Sequence, residues 1–201
     1  STLDRLINTG NDQSGKILFQ NSGAEANEAA MKLARKYQGV GKHGVVSAYK
    51  SFHGRTMATL AATGQPEKHE PFMPLPEGFR YAEWNDLGSF EEAIDQTTGA
   101  ILVEPIQGEG GVNNAGKDFL QGLRKLCDEK GLLLIMDEIQ TGLGRTGEWF
   151  GFHHADIKPD IVTMAKGMAN GVPIGAVWAK SEIADAFQPG DHGSTFAGQP
   201  L

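Results

Sequence analysis

The chain has 201 residues, 39% of them hydrophobic and 21% charged, which is typical of one globular domain. A formal net charge of −7 argues against a nucleic-acid partner, and no apolar stretch approaches membrane-spanning length. The single cysteine, Cys127, excludes an internal disulfide, and no secretory signal pattern opens the chain, so we expect a cytoplasmic protein. Because the chain starts without methionine and stops abruptly at Leu201, we expect a fragment.

Short β-branched apolar runs alternate with helical patterns, as they do in α/β proteins. In chain order, strands are predicted at residues 16–20, 44–49, 100–104, 132–137, 160–164 and 174–179. Helices are predicted at 24–37, 90–96, 117–130 and 181–187, and an ordered, proline-rich loop is expected over 64–78. Several strands are continuous apolar runs, so we expect a mostly parallel mixed sheet with helices on both faces.

Two glycine-rich segments resemble nucleotide-binding motifs but lie in the wrong context. Segment 10–17 has Ile17 where a P-loop needs Ser or Thr, and it leads into a strand. Segment 39–44 fits G-x-G-x-x-G but follows a helix, so we predict a helix stop and turn there. The strand ending in Asp137-Glu138 resembles a magnesium-binding Walker B strand, which keeps a nucleotide hydrolase open as a rival. The histidines lack metal-ligand spacing, so no metal site is expected.

Lys166 and Asp137 each stand at the end of a predicted buried strand. A lysine in this setting can condense with an aldehyde cofactor, and a carboxylate can keep a pyridine nitrogen protonated. Together the two residue types fit pyridoxal 5′-phosphate (PLP) chemistry. The alternative is a solvated loop lysine and an ordinary strand-end acid, because short motifs of this kind often match by chance.

Ser22, Gly23 and Ala24 lie between a predicted strand and the first strong helix. Ser22 suits a helix N-cap, and Gly23 lets a ligand approach the backbone closely. Free N–H groups and the positive end of the helix dipole at such a position favour a phosphate group. A capped helix without a ligand is the commoner explanation of this pattern alone.

Polar and aromatic residues follow four of the predicted strands. They are Phe52, His53 and Arg55, then Glu104 and Glu109, then Asp137 and Gln140, and finally Lys166. An aromatic ring such as Phe52 can stack on a flat cofactor, and an arginine such as Arg55 can bind a carboxylate through its two-pronged guanidinium. Because ligands in open α/β sheets bind beyond the carboxyl ends of the strands, we expect these residues to share one cleft.

Six segments carry motifs of a known family, in the family's order across nearly the whole chain. They are NSGAEANEAA at 21–30, SFHGRT at 51–56, EPIQGEGG at 104–111, MDEIQTGLGRTG at 136–147, AKGM at 165–168 and HGSTFAG at 192–198. Through them the chain resembles a class III (subgroup II) PLP-dependent aminotransferase, and is most similar to the acetylornithine and ornithine branch. The resemblance implies the large PLP-binding domain of a fold-type I aminotransferase over residues 1–201. The family's N-terminal segment and C-terminal small domain would be absent.

The resemblance also implies roles for the residues around the cofactor. Lys166 would carry the cofactor and transfer the substrate proton, and Asp137 would pair with the pyridinium nitrogen. Gln140 would touch the phenolic oxygen of the cofactor. Phe52 would stack on the ring, and His53 would join these cofactor contacts.

Further roles concern the phosphate and the substrate. Residues 22–24 would hold the phosphate, and Thr195 would reach the phosphate of a neighbouring subunit, which implies a homodimer with a shared site. Arg55 would bind the carboxylate of the amino acid, Glu109 would gate between the two substrates, and Glu104 would support the site.

The implied activity is transfer of the terminal amino group of N-acetylornithine, or a related ornithine derivative, to 2-oxoglutarate in arginine biosynthesis. One alternative is an aminotransferase for ornithine, 4-aminobutyrate or another ω-amine, although Arg55 favours a donor with an α-carboxylate. The other alternative is an inactive PLP-binding scaffold. In the family the C-terminal domain supplies an arginine for the 2-oxoacid, and that domain would be missing here.

Overall fold

The structure is a computed structural model that describes residues 1–9 and 14–199. Its helices are α1 (Thr2–Ile7), α2 (Gly23–Gln38), α3 (Met57–Ala62), α4 (Leu87–Ala93), α5 (Lys117–Lys130) and α6 (Ser181–Ala184). Its strands are β1 (Gly15–Gln20), β2 (Gly44–Ala48), β3 (Phe79–Ala82), β4 (Thr98–Val103), β5 (Ile106–Gln107), β6 (Asn113–Asn114), β7 (Leu133–Asp137), β8 (Ile161–Met164) and β9 (Gly175–Lys180). Short 3₁₀ turns lie at Pro66–Lys68, Glu70–Phe72, Gly151–Ala155 and Lys166–Ala169.

Seven of these strands form one sheet in the order β1-β9-β8-β7-β4-β2-β3. The five strands from β8 to β3 are parallel to one another, whereas β9 runs antiparallel to both β8 and β1. β5 and β6 form a separate antiparallel pair. The predicted α/β class with a mostly parallel mixed sheet is therefore confirmed.

The sheet is buried on both sides, because successive side chains of a strand point to opposite faces. On one face, Leu102 and Ile135 pack with the alanines of α2. On the other face, Ile101 and Leu134 pack with Leu123 of α5. The prediction of helices on both faces is confirmed, and the apolar runs are explained by this double burial.

Helix α2 has clear signals at both ends. The Ser22 hydroxyl accepts a hydrogen bond from the N–H of Glu25 at 3.2 Å, so Ser22 is the N-cap. Gly39 ends the helix with a φ of 83°, a conformation that glycine adopts without a steric penalty. Since β2 begins at Gly44, the predicted helix stop and turn over 39–44 is confirmed.

Two predicted helices have wrong bounds. The helix predicted at 90–96 is α4, because the carboxylate of Asp86 accepts from the N–H of Ser89 at 3.1 Å and starts the helix earlier. Its predicted end is a turn in which the carboxylate of Asp95 accepts from Thr97 N–H at 2.8 Å. The helix predicted at 181–187 ends at Ala184, because the chain tightens into a turn in which the N–H of Phe187 donates to the Ala184 carbonyl.

Sequence patterns did not predict α1, α3 or β3. The two helices have six residues each, too few to display a helical period, and the four residues of β3, FRYA, do not form a continuous apolar run. The ordered loop expected over 64–78 contains the two 3₁₀ turns at Pro66–Lys68 and Glu70–Phe72. Of the P-loop-like segment 10–17, residues 10–13 lie outside the described residues, and the rest leads into β1.

Candidate active site

A cleft of about 420 Å³ opens where the parallel strands end. The strand-end residues predicted to share one cleft line it together, namely Phe52, His53, Arg55, Glu104, Glu109, Asp137, Gln140 and Lys166, and Ser22, Gly23 and Ala24 line it as well. The volume lies within the range of small-molecule sites, about 300–1,000 Å³. The prediction of one shared cleft is therefore confirmed by the positions of these residues.

Asp137 is the last residue of β7 and lies on the same face of the sheet as Ile135, toward α2. Its Oδ2 accepts hydrogen bonds from Asn27 Nδ2 and His53 Nδ1, both at 2.8 Å. Its Oδ1 accepts one from the N–H of Ile139 at 3.1 Å. The side chain is buried, with 3% of its surface exposed, and a buried carboxylate needs such donors. Three donors therefore hold Asp137 in one orientation.

His53 is buried beside Asp137. Its Nδ1 carries a proton, because the carboxylate can only accept. Burial lowers the pKa of His53, but the hydrogen bond and negative charge of Asp137, helped by Glu104, raise this pKa above its ordinary value. Its Nε2 is buried without a hydrogen-bond partner among the described residues. His53 therefore supports the negative charge of Asp137.

Glu104 directly follows β4 and is buried at the floor of the cleft. Burial raises the pKa of Glu104, and the negative charge of Asp137 adds to this, while the charge of His53 opposes it. The backbone N–H of Phe52 donates to Glu104 Oε2 at 3.2 Å. The protonation of Glu104 is therefore linked to the charges of His53 and Asp137.

Lys166 follows β8 and is exposed at the cleft. Its backbone has a φ of 45°, in the left-handed region that few non-glycine residues adopt and that occurs often at functional sites. Its Nζ donates to Oε1 of Gln140, which lies on the loop after β7. The lysine of one strand end thus contacts the loop of the neighbouring strand.

The N-terminus of α2 borders the cleft at Ser22, Gly23 and Ala24. This helix has 16 residues, so its first N–H groups and its dipole present a positive end. An added Cβ at Gly175 would lie 2.3 Å from the Ser22 carbonyl oxygen, and one at Gly23 would lie 2.8 Å from Ile139 Cδ1. The cradle formed by residues 22–24 is therefore packed tightly between β9 and the loop after β7.

Phe52, Arg55 and Glu109 form the outer part of the cleft. The guanidinium of Arg55 lies 5.6 Å from the Phe52 ring centroid, and the Lys68 ammonium lies 5.1 Å from it. Arg55 and Glu109 are exposed, and within residues 1–9 and 14–199 Arg55 has no ion-pair partner. Two oppositely charged side chains that a ligand could contact thus stand at the opening.

Thr195 does not line the cleft of this chain, and its side chain is exposed. The preceding residue, Ser194, accepts a hydrogen bond from Asn21 Nδ2 at 2.6 Å, next to the cradle. The expected contact of Thr195 with a neighbouring subunit stays a prediction.

Two buried polar residues beside the cleft were missed from the sequence. Asn27 donates Nδ2 to Asp137 and also to the His53 carbonyl at 2.7 Å. A signal was present, because Asn27 lies three and seven residues before Ala30 and Ala34 and so falls on the apolar stripe of α2.

Glu138 is the second missed residue. Its carboxylate accepts from the Thr141 hydroxyl and from the N–H groups of Gly151 and Phe152 at 3.0 and 2.9 Å. Burial raises the pKa of Glu138 to about 7, although these hydrogen bonds oppose the rise. The buried acid ties the loop that carries Gln140 to the segment at Gly151–Ala155.

Other kinds of site are not apparent in the part of the chain that the structure describes. There, no three His, Cys, Asp or Glu residues are grouped so that they could share a metal ion. Within the same residues, no helix combines the length and apolar character needed to cross a membrane. Cys127 is buried, and burial raises the pKa of its thiol to about 12, which agrees with the single cysteine being a core residue.

The fold and the cleft define an α/β domain that binds a ligand beyond the strand ends of its sheet. The sequence matches the class III aminotransferase family over residues 2–201, and the chain belongs to this family. The predicted resemblance is confirmed, and the nucleotide-hydrolase rival is overturned.

Curated relatives carry related names. The chain is 54% identical over 190 residues to the acetylornithine aminotransferase of Aquifex aeolicus, covering 93% of this chain and 50% of that protein. It is 52% identical over 190 residues to the succinylornithine transaminase of Citrobacter koseri, covering 92% of this chain and 47% of that protein. The chain thus spans about half the length of the curated relatives it matches.

Solved structures agree with this family. The ornithine aminotransferase of Toxoplasma gondii matches with a TM-score of 0.87 and 39% identity, covering 91% of this chain and 45% of that one. A Bacillus anthracis aminotransferase matches with a TM-score of 0.89 and 34% identity, covering 99% and 50%. The fold is therefore that of aminotransferases, as predicted.

Proposed function

We propose that the protein is a PLP-dependent aminotransferase and that residues 1–201 are its large cofactor-binding domain. The observation that carries the proposal is that Lys166, Asp137 and the N-terminus of α2 line one cleft. Class III aminotransferases use PLP, and a structure of Toxoplasma gondii ornithine aminotransferase has partial PLP occupancy at its active site.

The residues of the cleft fit a phosphorylated pyridine aldehyde. The positive end of α2 suits a phosphate, and Gly175 leaves room for the backbone of the cradle. The buried carboxylate of Asp137 suits a protonated ring nitrogen, and Phe52 offers an aromatic face. The amine of Lys166 suits condensation with an aldehyde. These groups match the phosphate, the pyridine ring and the aldehyde of the cofactor.

Asp137 would keep the ring nitrogen of a bound cofactor protonated, because an opposite charge nearby favours the ionised form. His53 and Asn27 hold the carboxylate in place through Oδ2. Gln140, on the next loop, is assigned to the phenolic oxygen. When bound, PLP supplies an electron-accepting ring that makes loss of a proton from the substrate carbon possible.

Lys166 Nζ is the group assigned to proton transfer. When neutral, an amine can accept a proton from the substrate carbon and later return it, which is general acid–base catalysis. In the cofactor-free protein, the contact with Gln140 Oε1 gives this amine a defined position at the cleft.

The amino donor that we propose is N-acetylornithine or a related acylated ornithine, with 2-oxoglutarate as acceptor, in arginine biosynthesis. The names of the curated relatives support an ornithine-type donor. Arg55 is exposed at the cleft and can bind an α-carboxylate bidentately. We assign Glu109, at the same opening, to gating between the two substrates, and Glu104 to support of the site. Ornithine itself is the second candidate, since Arg55 suits it equally.

We further propose a cytoplasmic homodimer with a shared active site. Thr195 is exposed and lies outside this chain's cleft, so its hydroxyl is accessible to the phosphate of a neighbouring subunit. The contrasting possibility is a scaffold that binds PLP without turning over a substrate.

Trapping the cofactor separates an aminotransferase from an unrelated function. The full-length protein is incubated with PLP, reduced with borohydride and digested, and the modified peptide is identified by mass spectrometry. We expect a phosphopyridoxyl group on Lys166. A full-length protein that carries none would refute the proposal, and a modified protein without turnover would support the scaffold.

Donor screening tests the substrate. Acetylornithine, ornithine and 4-aminobutyrate are compared with 2-oxoglutarate as acceptor, in wild type and in Arg55→Gln. For donors with an α-carboxylate we expect the KM of the variant to rise about tenfold or more, because a charge-assisted bidentate contact is lost. The control is Arg35→Gln, an exposed arginine on α2 outside the cleft. Equal effects of Arg55→Gln on donors with and without an α-carboxylate would contradict this assignment.

A further inference from the structure

Asn27 links three of the elements that border the cleft, namely α2, the end of β7 and the loop after β2. It lies near the start of α2, just behind the cradle at residues 22–24, and its side chain is fully buried. Its Nδ2 donates to Asp137 Oδ2 at 2.8 Å and to the His53 carbonyl at 2.7 Å. Its Oδ1 has no hydrogen-bond partner among the described residues. The hydrogen bonds of this amide are thus directed at the end of β7 and the loop after β2.

We propose that Asn27 is a positioning residue that fixes the carboxylate of Asp137 against the ring nitrogen of the cofactor. The inference rests on the proposed function. Burying an amide with an unsatisfied acceptor is costly, and packing alone would be served by alanine, as at the buried neighbours Ala26 and Ala30. The polar residue is therefore explained by the two groups to which it donates.

The second donor matters because the terminal torsion of an aspartate has a broad, roughly two-fold profile. With His53 as the single side-chain donor to Asp137, the carboxylate would be less firmly oriented. Asn27 adds a donor from a different element, on the helix whose N-terminus forms the cradle. One side chain thereby links the helix that forms the cradle to the carboxylate that would face the ring nitrogen of the cofactor.

The test compares Asn27→Ala and Asn27→Asp by titrating PLP into full-length protein between about pH 6 and about pH 9. Asn27→Ala removes the donor, so we expect affinity to fall about tenfold at every pH. In Asn27→Asp the new acid can donate to Asp137 when protonated but repels it when ionised. Its deficit in PLP affinity should therefore be small at low pH and grow as pH rises, a dependence that a purely structural role does not produce.

Asn8 provides a matched control outside the cleft. Its Nδ2 donates to Asp4 Oδ1 at 2.9 Å and to the Asp4 carbonyl at 3.0 Å, and its side chain is also buried. Asn8→Ala and Asn8→Asp therefore reproduce the loss of an asparagine–aspartate contact. Both variants should bind PLP as wild type does.

Unfolding of the cofactor-free protein gives a second measurement. A buried acid at position 27 has a higher pKa in the folded than in the unfolded state, so the stability deficit of Asn27→Asp should grow as pH rises from about 4. A deficit that is independent of pH, or wild-type PLP affinity in both Asn27 variants, overturns the inference. A wild-type protein that takes up no PLP refutes the proposed function instead. A pH-dependent deficit of Asn27→Asp that shrinks when Asp137 is also replaced by Asn would still show that residue 27 acts on Asp137.

Discussion

Asp137 lies opposite Thr163 in the parallel pairing of β7 with β8, and Lys166 follows Thr163 by three residues. The acid and the lysine therefore leave the sheet from adjacent strands at the same edge, and both line the cleft. Because the pairing itself is made by backbone groups, the exposed side chain of Lys166 can be changed with little effect on the sheet. This separation makes the proposed chemistry testable by substitution.

Lys166→Ala should abolish covalent attachment of PLP and transamination while leaving the fold intact. The side chain is exposed and contacts Gln140, so the free energy of unfolding should change by less than about 1 kcal/mol. Thermal unfolding followed by circular dichroism and an assay of the amino-group product check both expectations. Lys50→Ala is the matched control, because Lys50 is also exposed and has a left-handed backbone, with φ 64°. Retained turnover in Lys166→Ala would contradict the assignment of this lysine.

Asp137→Asn should lower the pKa of His53. Burial already lowers this pKa, and the hydrogen bond and charge of Asp137 are what raise it above its ordinary value. A neutral amide removes that charge, so the imidazole should lose its proton at lower pH than in wild type. NMR titration of the cofactor-free protein measures the change, with His192 as an internal control because Asp137 does not contribute to its pKa. An unchanged midpoint for His53 would argue against the coupling.

Glu138→Gln should reduce the dependence of stability on pH. Burial raises the pKa of Glu138 from 4.5 to about 7, so the folded state binds its proton more tightly than the unfolded state. Wild type should therefore lose about 3 kcal/mol of unfolding free energy through this group as pH rises from about 4.5 to above about 7. The variant should lose that much less, as measured by urea unfolding at low and high pH. Glu67→Gln, at an exposed site, is the control and should behave as wild type.

Gly175→Ala should weaken PLP binding by displacing the cradle. The added methyl group would lie 2.3 Å from the Ser22 carbonyl oxygen, so β9 and the start of α2 must separate. We expect a loss of about 1–3 kcal/mol in stability and about tenfold or more in PLP affinity. Gly116→Ala is the control, because the nearest atoms to its new methyl group lie at 3.9 Å. Wild-type affinity in Gly175→Ala would show that the phosphate does not depend on the cradle.

The central sheet and most of the cleft could be predicted because local sequence determines them. Buried strands such as β7 and β8 are unbroken apolar runs, and polar residues appear where they end. Since ligands of open α/β sheets bind beyond the carboxyl ends of the strands, Lys166 and Asp137 could be placed in one cleft from the sequence alone. The motifs at 21–30 and 136–147 then predicted the family.

Other features depend on contacts that periodicity does not report. Asn27 and Asp137 are 110 residues apart in sequence, and their hydrogen bond follows from the way α2 packs on the sheet. Glu138 could be read as a strand-end acid, but its partners Gly151 and Phe152 lie on a later segment. The antiparallel direction of β9 likewise follows from tertiary pairing. These contacts and this strand direction can be found only in the three-dimensional structure.

The residues around Asp137 and those at the opening of the cleft differ in burial and in hydrogen bonding. Asp137, His53 and Asn27 are buried and bonded to one another, whereas Arg55 and Glu109 stand in solvent. Under the proposed function, substitutions at positions 55 and 109 would change which amine is accepted and leave the buried charged groups undisturbed. In the same way, related proteins could diverge at the exposed opening of the cleft while the buried residues around Asp137 stay constant.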